Sequence, residues 1–85
     1  MNLLIVFQSR NSLYSFAKFL KSNGMNINII NTPNSISTSC TLSIKTDFKN
    51  LNRILSMING KKVSGMIGIY SISKNLGYER VERLY

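Results

Sequence analysis

An α+β two-layer sandwich, an antiparallel sheet with two helices on one face, is the fold the sequence predicts. Three observations carry that prediction. Strand-like and helix-like periodicities alternate in the order β-α-β-β-α-β, and Gly24, Pro33 and Gly60 fall between elements. The length of 85 residues, 44% of them hydrophobic, suits one small core and no second one.

Leu3 to Phe7 is a short apolar, partly branched run of the kind buried on both faces, which predicts a central strand. After the polar break Gln8-Ser9-Arg10, the residues Leu13, Phe16, Ala17 and Leu20 make one apolar stripe at helical spacing. Ser9 or Asn11 is the cap of this helix and Gly24 its end. Met25, Ile27 and Ile29 alternate with Asn26, Asn28 and Ile30, which predicts a half-buried strand ending before Pro33. Leu42 and Ile44, alternating with Ser43 and Lys45, predict the third strand.

Asp47 is placed to cap a second helix whose stripe is Phe48, Leu51, Ile54, Leu55 and Ile58. The run Gly65 to Tyr70 reads as the last strand, its two glycines permitting a bulge or a close backbone approach. Tyr78, Val81 and Tyr85 share one helical face, and Glu79 with Arg83 is a favourable i,i+4 pair, so residues 73–85 are expected to form a short helical tail beyond a domain of residues 1–72. A β-α-β-β-α-β order most often folds as a ferredoxin-like sheet.

The formal net charge is +8, and nine basic side chains against Asp47 alone lie at or before Lys74, so the excess belongs to the folded body. That charge raises nucleic acid as a partner. There is no dense basic run, however, with Lys61-Lys62 the only adjacent pair. Phe7, Phe16, Phe19 and Phe48 are committed to packing rather than to a stacking platform, which places nucleic acid last among the readings. The apolar opening lacks a basic n-region and is only a strand in length, so neither a signal peptide nor a membrane span is expected.

There is no histidine, and the acidic residues are Asp47, Glu79 and Glu82, which excludes His-based, paired-carboxylate and most metal-assisted mechanisms. No metal or other cofactor is expected. Cys40 is the single cysteine, so no internal disulfide can form, and a reduced, cytoplasmic thiol is expected. It closes the hydroxyl-rich run Ser35-Ile36-Ser37-Thr38-Ser39 that follows Pro33.

In a ferredoxin-like topology the segment from Pro33 to Cys40 shares one end of the sheet with the start of the first helix and with the turn after the second. That placement gathers Cys40, Arg10, Ser37, Ser39, Lys61 and Lys62 as a thiol and the donors that would steady its anion. The end of the second helix brings negative partial charge to the same place. The alternative reading of Cys40 is a small buried hydrophobe opening a strand.

The segment Pro33-Asn34-Ser35-Ile36-Ser37-Thr38-Ser39-Cys40-Thr41-Leu42-Ser43-Ile44 resembles the signature of the selenium/sulfur carrier protein-like family, in which a proline precedes a Ser-rich stretch and a Cys-Gly opening a strand. The resemblance extends to Phe7 with Ser9 and to Gly68-Ile69-Tyr70, covering residues 3 to 72. Thr41 stands where the family commonly has glycine. The resemblance implies a small accessory carrier, rather than a stand-alone enzyme, holding sulfur or selenium on Cys40 as a persulfide or perselenide. Its partners would be donor and acceptor proteins. The rival reading is a non-catalytic ferredoxin-like interaction or regulatory module with Cys40 structural, forming a homodimer through the open face of the sheet or the tail.

Overall fold

The computed structural model describes residues 2–33, 36, 41–58, 65–75 and 78–84. It has an α+β architecture of two helices and a five-stranded antiparallel sheet. The elements are β1 (Asn2–Phe7), α1 (Arg10–Ser22), β2 (Ile27–Asn31), β3 (Leu42–Asp47), α2 (Leu51–Ile58), β4 (Met66–Asn75) and β5 (Tyr78–Arg83). The strands lie side by side in the order β2-β3-β1-β4-β5.

The apolar run of β1 occupies the centre of the sheet, as expected. Ile5 stands opposite Ile44 of β3 on one side and Ile69 of β4 on the other, and Ile44 in turn faces Ile29 of β2. This row of isoleucines crosses four strands. Leu3, Ile5 and Phe7 belong to the same buried cluster as Leu13, Phe16, Ala17 and Leu20 of α1 and Ile54 and Ile58 of α2. Alternate residues of a strand point to opposite faces, so both helices cover the face that carries Leu3, Ile5 and Phe7. Each of these large side chains contributes about 1.5–3 kcal/mol when removed fully from water. Leu4 and Val6, on the other face, are also buried. In register, Leu4 is flanked by Lys45 and Tyr70, and Val6 by Ser43 and Gly68.

Helix α1 starts where its cap dictates. Ser9 has extended backbone geometry and its hydroxyl accepts from the Ser12 N–H at 3.4 Å. The helix ends at Asn23, and Gly24 follows with φ +80, a conformation only glycine adopts freely. Asp47 caps as expected, its carboxylate accepting from the Lys49 N–H at 3.0 Å, but it opens a 3-10 turn over Phe48–Asn50 before α2 begins. Thr46 secures this junction by donating to the Asn26 carbonyl at 2.9 Å while accepting from the Asn50 carboxamide at 2.9 Å.

The expected helical tail is not formed; Tyr78–Arg83 is strand β5, paired with a β4 that continues to Asn75 across the boundary expected at residue 72. The physical reason is the edge that β4 otherwise leaves unpaired. An isolated helix this short nucleates poorly, whereas pairing on a preformed strand supplies a ladder of hydrogen bonds. Val81 sits opposite Ile72, Glu79 opposite Lys74, and the Arg83 guanidinium lies over the Tyr70 ring, 5.9 Å from its centroid. Leu84 then donates its N–H to the Ile69 carbonyl at 2.8 Å and packs against the core.

Candidate functional site at one end of the sheet

Strand registers define the last row at one end of the sheet: Asn31, Leu42, Phe7 and Met66 lie side by side on β2, β3, β1 and β4. Three connections leave from this row. One is Gln8-Ser9 into α1, one runs from β2 to β3 and contains the Ser-rich segment and Cys40, and one arrives from α2 at Gly65. The pairing continues one step past β2 and β3, where the Thr32 N–H donates to the Thr41 carbonyl at 3.0 Å. Thr41 is therefore fixed, and Cys40 is its chain neighbour.

Gly65 shows how closely the connections approach one another. Its carbonyl accepts from the Gln8 N–H at 2.7 Å and its φ is +79. A Cβ built there would stand 2.9 Å from the Ser12 hydroxyl oxygen and 3.1 Å from the Ser9 Cβ. The chain entering β4 thus touches the first turn of α1 with no space for a side chain. Immediately beyond Gly65, the register shifts so that Val6 faces Gly68 and Phe7 faces Met66, leaving Ile67 as the extra residue of a bulge. The Ile67 carbonyl accepts from the Arg83 guanidinium at 3.2 Å.

Three buried hydroxyls collect where β2 meets β3. Thr32 and Ser43 share a hydrogen bond of 2.6 Å, and Ser43 is fully buried. Thr41 is 9% exposed, and its hydroxyl oxygen has no hydrogen-bond partner among the described residues. Two hydroxyls that bond each other have two protons and one shared contact, so one donor of that pair is also without a partner among the described residues. Buried polar groups normally find partners, which makes this cluster an exception with available donors. Sequence reasoning missed Thr32 and Ser43. The signal was the alternation of Thr41 and Ser43, but their meeting with Thr32 depends on a register that the sequence alone does not supply.

Of the expected site residues, Arg10 is the first residue of α1 and exposed at this end. Cys40, Ser37, Ser39, Lys61 and Lys62 lie outside the described residues. The first helical turn supplies N–H groups with positive partial charge facing this end of the sheet, that of Ser12 being taken by the Ser9 cap. Ser43 stands beside Val6 in register, on the face of the sheet away from α1, so the hydroxyl cluster and these N–H groups lie on opposite faces of the same end.

No helix among the described residues is long and apolar enough to cross a membrane. No curated protein and no solved structure matches the chain. The family model described as "Putative Se/S carrier protein-like" matches residues 2–71, which run from the first residue of β1 through Cys40 and into β4. With that match spanning most of its length, the chain belongs to the Se/S carrier protein-like family.

Proposed function

We propose that this protein is a sulfur or selenium carrier that holds the chalcogen on Cys40 as a persulfide or perselenide and delivers it to an acceptor protein. The observation that carries the reading is the family match across residues 2–71, which includes the chain's one cysteine. The strand order β2-β3-β1-β4 supports it, because we read it as a ferredoxin-like sheet extended by β5, in which the connection bearing Cys40 shares an end with the start of α1. In loading, the Cys40 thiolate attacks the terminal sulfur of a donor persulfide or the terminal selenium of a donor perselenide. The new S–S or S–Se bond forms as the donor's own S–S or S–Se bond breaks, and the donor sulfur leaves as a thiolate. In delivery, an acceptor thiolate attacks the terminal atom and Cys40 leaves as thiolate. Both steps are exchanges and need no external oxidant.

In this reading the first turn of α1, Arg10, Ser37, Ser39, Lys61 and Lys62 steady the charge on sulfur, and the cytoplasm keeps the thiol reduced. The rival interaction module would keep its partner binding in Cys40→Ser. Intact mass after incubation with a sulfane-sulfur donor and, separately, a selenium donor tests the proposal. An adduct of about 32 or roughly 80 Da, one chalcogen atom, removable by reductant and missing from Cys40→Ser, is the expected result. An unmodified wild type whose thiol also resists alkylation would make Cys40 structural.

A further inference from the structure

A cleft among the described residues lies at the opposite end of the sheet from Thr41 and Gly65. It measures about 800 Å³ and sits where β1 begins, β3 ends and α1 passes into β2. Three lysines are among its lining residues: Lys21 in the last turn of α1, Lys45 on β3 and Lys49 in the 3-10 turn. Asp47 is the one acid there, and its carboxylate already accepts from the Lys49 N–H. Nothing else in the lining offsets the positive charge.

The remaining polar groups are carboxamides. Asn28 lies directly across from Lys45 in the β2–β3 register, and Asn2 and Asn26 complete that side. No hydrogen bond engages the side chains of Asn2, Asn26 or Asn28 among the described residues. Asn50, by contrast, is committed to Thr46. Lysine and asparagine residues of α1, β2, β3 and the 3-10 turn thus line one space within the usual size of a small-molecule site, Lys45 and Asn28 reaching it from the sheet face away from the helices. Three lysines against the one carboxylate of Asp47 leave the lining with an excess of positive charge, which a multiply charged anion offsets while accepting hydrogen bonds.

We infer that this cleft binds a multiply charged, phosphate-bearing small molecule through its phosphate groups, independently of the chemistry at Cys40. Phosphate fits because its oxygens accept from several directions at once, as donors spread over a helix, a turn and two strands require. The lining has no aromatic side chain, so there is no platform on which a base could stack. A nucleoside would add little to the affinity of the phosphate chain alone.

The test is a titration of the full-length protein with sodium tripolyphosphate and, in a second arm, with ATP, followed through backbone amide resonances at low salt. The expected shifts are confined to Gly24–Asn28 and Thr46–Asn50, with comparable affinities in the two arms and weakening as salt rises. Replacing Lys21, Lys45 and Lys49 together by Gln should weaken binding at least about tenfold, since each removes a charge-assisted donor. Arg80→Gln removes the same charge from β5, at the edge of the sheet opposite β2, and should leave affinity within roughly twofold when compared at about 0.15 M salt, where distant surface charges are screened. If the triple variant loses its folded spectrum, Lys49→Gln alone, at an exposed turn, should weaken binding at least about threefold. Absence of shifts at millimolar ligand, equal losses from Arg80→Gln, or a single-stranded RNA that binds while tripolyphosphate does not, would each overturn the inference.

Discussion

At the scale of single residues, Gly65 and Thr41 make opposite demands. Gly65 combines a positive φ with a contact that leaves no room for a Cβ, so Gly65→Ala should destabilise the protein by about 2–3 kcal/mol, seen as a lower denaturant midpoint. An unchanged midpoint would mean that the β4 entry and the first turn of α1 are not in contact. Thr41 has a buried hydroxyl with no partner among the described residues. Thr41→Val, near-isosteric, should therefore leave stability unchanged or raise it by up to about 1 kcal/mol. Ser43→Ala should cost about 1–2 kcal/mol, because it leaves the Thr32 hydroxyl buried and alone. The reverse ranking in thermal melts would count against the hydroxyl cluster. Cys40 and the Ser-rich run were legible in the sequence because they are covalent neighbours. The Thr32 and Ser43 pair was not, because residues eleven apart meet only once a strand register is fixed.

At the scale of elements, legibility followed the strength of the local signal. The stripe of α1 and its Ser9 cap agree with each other, and all four predicted core residues of that helix are buried. Asp47 was correctly placed as a cap, but the 3-10 turn before α2 leaves Phe48 only partly buried. Strand β5 was misread since Tyr78, Val81 and Tyr85 have helical spacing and an edge strand rich in charge shows no clean alternation of apolar residues. What decided its conformation was the unpaired edge of β4, a tertiary fact. Val81→Pro should accordingly disturb the β4–β5 ladder and remove hydrogen-exchange protection from the Leu84 amide, which donates to Ile69. Retained protection at Leu84 would contradict the strand pairing.

At the scale of the whole molecule, the sheet separates two ends with different chemistry. One end gathers the connections around Thr41, Ser9 and Gly65, next in sequence to Cys40. The other holds the lysine-lined cleft. The excess of positive charge, diffuse in the sequence, is represented in the lining of one cleft by Lys21, Lys45 and Lys49 against Asp47, from α1, β3 and the 3-10 turn. The family match spans residues 2–71 and includes Cys40, and the proposed function requires that a sulfur loaded on Cys40 can be passed on. Cyanolysis of the loaded, desalted protein tests this most directly, because cyanide takes a sulfane sulfur as thiocyanate and releases the cysteine as thiolate. A carrier should yield about one equivalent of thiocyanate per wild-type chain, in keeping with one thiol and one transferable atom, and none from Cys40→Ser. Thiocyanate released equally by both proteins, or by neither, would contradict it.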